Sequence, residues 1–470
     1  MSTSVTLNEE CGQRIARALN RNPAVGLAVG IVRAGQLALF YGHGFADIAV
    51  RAPVTEDTVF RIGSITKTFT AIAVLQLYEQ GDIDLDAPAG DYLRSYALVP
   101  ANVTHRPPTV RQLLTHTAGL PELVRPSRVF TPVLGETVRF GQRVPTLAEF
   151  YRGSLRLVAE PGTTHTYSNH GFATLGQIVE DVTGRRLAEH LRDRIFAPLG
   201  MTHTDLVRSD RVSAGLATGY ALRAGGPRPV GDWDLVTVGA GGVYSTTRDM
   251  ARYLAALLGG GGSMLRADTL TAMFAPHYQP DPRLPGVGLA FFRHDIGGHP
   301  VVEHEGLLPG FTSHLAVAPD DDLGIVAFTN GARGARAWLS TEVGGILRDV
   351  LGVPTPTIRT DVPHSPELWT DLCGWYSFRG SARDVPKWFI AGAKVAVRRG
   401  RLVLQALSPV PALARGLPLY PDDSEDPYVF RIDLSDLGVG TSRVVFSRSR
   451  ESRVTAFHLE FAPMSFDKRS

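Results

Sequence analysis

A chain of 470 residues, 44% apolar and 20% charged, is long enough for on the order of two or three domains with full-sized cores. Its formal net charge of +2, with no basic run and no acidic tail, excludes the electrostatic footprint of a nucleic-acid or anionic-membrane binder. Cys11 and Cys373, its two cysteines, lie far apart and make neither a disulfide framework nor a metal-ligand spacing. No run approaches the roughly 18 apolar residues that span a bilayer, and the amino-terminal stretch lacks the apolar core of a secretory signal. The expected location is the cytoplasm, with no membrane partner.

An amphipathic stretch near residues 8–20 precedes "AVGLAVGIVRAGQLALFYGHGFAD", which reads as two apolar strands around a turn at Ala34-Gly35. "ITKTFTAIAVLQLYEQG" is apolar on all sides, which predicts a central helix buried by its neighbours and stopped by Gly81. Residues 82–275 read as mostly helical and loop-rich, with helices at "FATLGQIVEDVTG" and "TTRDMARYLAALLGGGG". Strand character returns at "GVGLAFFRHDIGG", "PVVEHEG" and "FTSHLAVAPDDDLGIVAFTN", with Asp320, Asp321 and Asp322 as a solvated hairpin turn. Two strands in front and several behind a helical middle predict an α/β unit. Its antiparallel sheet is assembled from both ends of the domain, around a mostly helical insertion. A proline-rich stretch, "LGVPTPTIRTDVPHSPELW", then separates a tail of hairpins such as "KVAVRRGRLVLQAL" and "SRVVFSRSRESRVTAFHLEF". The expected division is 1–352 catalytic, 353–364 linker and 365–470 small all-β.

The chain is rich in arginine and holds four lysines, Lys67, Lys387, Lys394 and Lys468. Where arginine serves wherever charge is enough, a surviving lysine marks a place that needs an amine able to lose its proton. Lys67 follows Ser64 by three residues, one helical turn, so the two share a face within about 5–6 Å. A serine hydroxyl is a poor nucleophile until a base takes its proton, and a neutral amine one turn away can do so. The positive end of the helix beside it also favours a developing oxyanion.

Further along, "HTYSNHGF" supplies Tyr167 and Asn169, a Y-x-N just ahead of a helix, and "VVEHEGLLPG" supplies His304 and Gly306, an H-x-G at the end of a strand. With these three motifs in order, the chain resembles the class C β-lactamase and penicillin-binding-protein-like serine hydrolases over roughly residues 10–350. "RQLLTHTAGLP" and "GAGGVYSTTRDMARYL" agree with that family's recurring segments. The resemblance implies Ser64 as nucleophile and Lys67 as the amine that activates it. Tyr167 would be general base or proton shuttle, possible as a phenolate, and whether it or Lys67 acts as acylating base stays open. Asn169 would bind the acyl side and hold Lys67. His304, Glu305 and Gly306 would line the opposite wall, and the N–H groups of Ser64 and Leu307 would form the oxyanion hole. No cofactor or metal is expected. His116 reads as a turn stabiliser, and His165 and His170, which flank the Y-x-N segment, as candidate substrate contacts.

The family's β-lactamases carry K-T-G where this chain has His304-Glu305-Gly306. A neutral histidine and an added carboxylate disfavour a substrate carboxylate there. Strong β-lactamase action is therefore not expected, and Glu305 would instead receive an ammonium group. H-x-G occurs in the family's D-specific peptidases and amidases, and a β tail resembles the lipocalin-like domain of some of them. The expected partner is a small peptide, D-amino-acid-containing, or an ester. The alternatives are an acyltransferase or peptide-cyclising thioesterase on the same residues, and a β-lactam-binding protein that acylates without turnover. The tail either caps the site mouth or stabilises and oligomerises the chain.

Overall fold

A computed structural model describes residues 2–128 and 130–469 of the chain. Its central sheet has seven strands: β1 (Gly26–Arg33), β2 (Gln36–Asp47), β3 (Ala52–Pro53), β4 (Phe292–Ile296), β5 (His299–Leu308), β6 (Phe311–Ala318) and β7 (Leu323–Thr329). They run in the order β4-β5-β6-β7-β1-β2-β3, every neighbour antiparallel. The sheet is thus drawn from both ends of the unit, as expected. Ala34 and Gly35 join β1 to β2 with φ of 48° and 67°, the left-handed pair whose twist suits a two-residue hairpin.

Strand alternation sends Leu27, Val29 and Ile31 to one face and Ala28 and Val32 to the other, and both faces are covered. Five helices matter here: α1 (Ser2–Arg21), α2 (Thr66–Gln80), α3 (Asn169–Thr183), α4 (Thr247–Leu258) and α5 (Ala335–Leu351). α1 and α5 cover the first face through Cys11, Ile15, Trp338 and Val343. The second face packs against α4 and, beyond it, α2, whose residues Thr66–Leu77 are all buried. α2 stops at Gly81 (φ 81°), where the backbone N–H returns to the carbonyls of Leu77 and Tyr78.

Two features differ from the expectations. Strand β4 begins only at Phe292, because left-handed residues at Gly286 (φ 79°) and Ala290 (φ 67°) break the extended run before it. Within the mostly helical middle, Ala97–Val99 pairs in parallel with Ser154–Arg156, and Thr137–Arg139 pairs with Trp233–Leu235. The second pair fixes the backbone next to Glu136, which matters below.

After α5 ends at Gly352, nine strands between Gly374 and Lys468 form one antiparallel sheet. Its first strand, Gly374–Phe378, pairs with its last, Ser465–Lys468, so the sheet curls into a nearly closed barrel. Tyr376, Phe378, Phe430, Phe446, Phe457 and Phe466 fill its interior. Arg283 docks the barrel on the first unit. It donates to Asp281 (2.8 Å), to Asp426 (2.7 Å) and to the Phe446 carbonyl (2.8 Å), while Leu284 packs on Val429 and Val445. A second contact joins the Leu123 N–H to the Arg383 carbonyl (3.0 Å) and the Val385 N–H to Glu122 (2.8 Å). No helix among the described residues is long and apolar enough to cross a membrane.

Candidate active site

Ser64 sits in a tight turn, Gly63–Ile65, that leads into α2. Gly63 has φ 52°, and a Cβ there would stand 2.8 Å from the Leu307 nitrogen, so the turn and the end of β5 meet backbone to backbone. The same closeness holds at Gly306, where a Cβ would come within 2.0 Å of the Ile62 carbonyl oxygen. Side chains then pin the turn. Thr66 Oγ1 donates to the Gly63 carbonyl (2.6 Å) and accepts from the Val243 N–H (3.0 Å), and Ser313 Oγ donates to the Ile62 carbonyl (2.7 Å).

Lys67, in the first turn of α2, is fully buried. Its Nζ lies 3.0 Å from Ser64 Oγ, 2.9 Å from Asn169 Oδ1 and 2.8 Å from the Ala240 carbonyl oxygen. Burial pulls its pKa down to about 7, against the opposing pull of Glu136. A substantial share of Lys67 is therefore free amine at neutral pH.

Tyr167 hydrogen-bonds Ser64 from the other side, and Lys67 Nζ lies 4.8 Å from its ring centroid. Burial pushes the Tyr167 phenol well above its ordinary range, and the Ser64 hydrogen bond only partly offsets this. The phenolate considered from sequence is not the form these surroundings favour. The Y-x-N segment is held in place by His116, itself in a left-handed turn with φ 57°. His116 Nδ1 accepts from the Ser168 N–H (3.1 Å), and its ring lies 4.4 Å from that of Tyr167.

His304 faces the same space, its ring 6.3 Å from Tyr167 and 5.7 Å from Phe292. Its Nδ1 donates to the Glu305 carbonyl (2.7 Å), which leaves Nε2 as a buried acceptor with no partner. Burial, with Lys67 next, drives its pKa down to about 3, so the imidazole is neutral.

Ser64, Lys67, Tyr167, Asn169, His304 and Gly306 therefore converge, with the Leu307 backbone beside them. Glu305 does not join them as expected. The alternation of β5 turns it to the opposite face from His304, where Arg336 of α5 neutralises it (Nε–Oε1 2.7 Å). The carboxylate is already paired and is not a free receptor for ammonium. Of the flanking histidines, His165 stacks on Tyr278 and lies near Phe292. His170 points away from the mouth, with Nδ1 2.9 Å from the Tyr151 hydroxyl and Nε2 3.4 Å from Glu136 Oε1.

Three participants carry no sequence signal. Glu136 is buried behind Asn169, accepting from Asn169 Nδ2 (3.1 Å) and Thr237 Oγ1 (2.6 Å). The Ala240 carbonyl reaches Lys67 from another element, and Arg336 of α5 holds Glu305 on the far face of β5. Beside Leu307, whose side chain is exposed, opens a cavity of about 360 Å³ lined by Tyr220, Leu308, Phe311, Ala335 and Arg336. Among the described residues no group of histidine, cysteine, aspartate and glutamate is arranged to hold a metal.

The chain is similar to known proteins. Penicillin-binding protein 4 of Amycolatopsis lactamdurans is 28% identical over 70% of this chain and 87% of its own length. A D-aminopeptidase of Gluconobacter oxydans is 28% identical over 71% of this chain, which spans 60% of that relative's length. The octameric penicillin-binding protein homologue of Pyrococcus abyssi superposes with a TM-score of 0.63 at 23% identity, over 98% of this chain and 99% of that one, barrel included. A family model described as Beta-lactamase matches residues 13–342. By that match the chain belongs to the Beta-lactamase family of serine hydrolases.

Proposed function

We propose that this protein is a serine hydrolase that forms an acyl-enzyme on Ser64 and cleaves amide or ester bonds, in D-amino-acid-containing peptides or small esters. The observation that carries the reading is the fully buried Lys67 amine, 3.0 Å from the Ser64 hydroxyl. In its neutral form the amine takes the Ser64 proton as Oγ attacks the substrate carbonyl. The oxyanion rests on the N–H groups of Ser64 and Leu307, which the close approach of Gly63 to β5 brings side by side. Tyr167, a neutral phenol bonded to Ser64, hands a proton to the leaving group and recovers one from Lys67. Water then attacks the ester by the reverse route. Asn169 holds Lys67 and faces the acyl side.

The neutral His304 presents an acceptor, Nε2, where a lysine would present a cation. An acceptor suits an N–H or ammonium of the substrate and gives a carboxylate no anchor. This favours aminoacyl substrates over β-lactams, in line with the D-aminopeptidase relative. The cavity beside Leu307, lined by Tyr220, Leu308 and Phe311 together with Arg333 and Arg336, has room for a substrate side chain.

Transfer of the acyl group to an amine is a second reading. It is favoured by the contact of residues 383–385 of the barrel with Leu123 and Glu122, and of Asp384 with Thr166 (3.4 Å), one residue from Tyr167. A barrel lip at that position is suited to choosing the acceptor. We further propose the division 1–352, 353–364 and 365–470, and assembly into a homo-oligomer, for which the octameric homologue is the support.

A panel of D- and L-aminoacyl nitroanilides, short-chain nitrophenyl esters and nitrocefin, with and without an added amine, tests the reading. Cleavage of D-aminoacyl and ester substrates by the wild type and none by Ser64→Ala is expected. Equal activity of the Ser64→Ala protein would refute it.

A further inference from the structure

The orientation of Asn169 decides what Lys67 can do, and another residue decides that orientation. Lys67 Nζ has three neighbours at hydrogen-bond distance. Two of them, Asn169 Oδ1 and the Ala240 carbonyl, can only accept. A neutral amine spends its two hydrogens on those acceptors, and its lone pair is left aimed at the third neighbour, the Ser64 hydroxyl. Were the Asn169 amide turned over, Nδ2–H would face Lys67 and occupy that lone pair.

What prevents the turn is Glu136. Its Oε2 accepts from Asn169 Nδ2 (3.1 Å), so Nδ2 must point to the carboxylate and Oδ1 to the lysine. Thr237 Oγ1 donates to the same oxygen (2.6 Å), while His170 Nε2 stands 3.4 Å from Oε1. The Tyr151 hydroxyl, able to donate or to accept, lies 2.9 Å from His170 Nδ1 on the far side of that ring. Tyr151, His170, Glu136 and Lys67 are all buried, so water does not reorganise this chain. Both donors, Asn169 and Thr237, reach the same carboxylate oxygen, Oε2, while Oε1 is a buried acceptor with no hydrogen-bond partner.

We propose that Glu136 is a positioning residue of the Ser64 reaction: through Asn169 it aims the Lys67 lone pair at Ser64. The inference rests on the acyl-enzyme reading above. In the step itself Ser64 gives its proton to Lys67, and the resulting ammonium donates one hydrogen each to Asn169, Ala240 and the Ser64 oxygen. The proton then leaves through Tyr167 to the departing group. Glu136 neither gains nor loses a proton in that sequence.

Both Lys67 and Glu136 are brought to about 7 by burial, from opposite sides, and each opposes the other's shift. The other titratable groups around them are His116, His165, His170 and His304, all held neutral by burial, the phenols Tyr151 and Tyr167, and Glu122. Removing the Glu136 charge takes away the group that holds the Lys67 pKa up, so free amine should persist to lower pH.

The test is the acylation rate against pH, read from the burst of nitrophenol on a nitrophenyl ester, for the wild type, Glu136→Gln and Glu136→Asp. Circular dichroism confirms folding. In Glu136→Gln, whose amide oxygen can still accept from Asn169 and Thr237, the plateau should hold while the ascending limb moves toward acid. Glu136→Asp keeps the charge but withdraws it from Asn169. Its plateau should fall while the limb stays at the wild-type pH. If Glu136→Gln does not fold, the aspartate variant carries the test, and a wild-type plateau there overturns the proposal. A uniform loss in Glu136→Gln with an unmoved limb would assign Glu136 a structural role only. Should Ser64→Ala remain active, the acyl-enzyme reading fails. Should Ser64→Ala be inert and both Glu136 variants behave as wild type, this inference alone fails.

Discussion

In the proposed reaction Lys67 is the residue on which the chemistry turns, and charge alone does not explain its place there. A guanidinium in its place would keep the cation and lose the ability to take a proton. Lys67→Arg should fold and yet lose about 10²–10⁴ in the acylation rate, measured in single-turnover experiments. Because burial brings the Lys67 pKa to about 7, wild-type activity should rise as pH increases through 7, the amine being the active form. A rate that falls over that interval would contradict the assignment. Ser64, Lys67, Tyr167, Asn169 and His304 were legible in the sequence because each sits in a motif of three or four residues whose spacing is local geometry. Glu136 was not. Its contact with Asn169 spans 33 positions and exists only once the strand Thr137–Arg139 has paired with Trp233–Leu235. Glu305 was misread for the same reason, since its partner Arg336 lies on a helix that the motif does not contain.

The elements bring these residues together through backbone contacts that tolerate no side chain. Gly306 of β5 lies against the turn that carries Ser64, leaving only 2.0 Å between a Cβ and the Ile62 carbonyl oxygen. Gly306→Ala should therefore push β5 away from the turn. A loss of about 1–3 kcal/mol in stability, seen in urea titration, is expected with a larger loss of kcat than of KM, because the Leu307 N–H moves out of line. Unchanged kcat in a folded variant would detach β5 from the oxyanion. The pattern of α2, apolar on every side, announced a helix enclosed by others, and the pair Ala34-Gly35 announced a hairpin. The late start of β4 was hidden, because apolar residues at Leu289, Ala290 and Phe291 look like strand although they turn inward to the core.

At the scale of the molecule, two packed units meet at Arg283 and at residues 383–385. Arg283 satisfies Asp281, Asp426 and a barrel carbonyl at once. Arg283→Ala should cost on the order of 2 kcal/mol at that contact and raise the rate of proteolysis in residues 353–364. Protease resistance equal to the wild type would show that the remaining contacts, such as Thr341 with the Gly438 carbonyl (2.6 Å), hold the barrel without Arg283. The proline-rich break and the hairpin repeats made the barrel visible in sequence, while its docking did not show, because Arg283 looks like any other arginine in a chain rich in them. Aromatic side chains fill the barrel interior.

Intact-protein mass spectrometry with peptide mapping, after brief exposure to an acylating nitrophenyl ester, addresses the nucleophile most directly. One adduct on the peptide containing Ser64 is expected, absent from Ser64→Ala and slow to form in Lys67→Arg. An adduct at another residue, or turnover by Ser64→Ala, would contradict it.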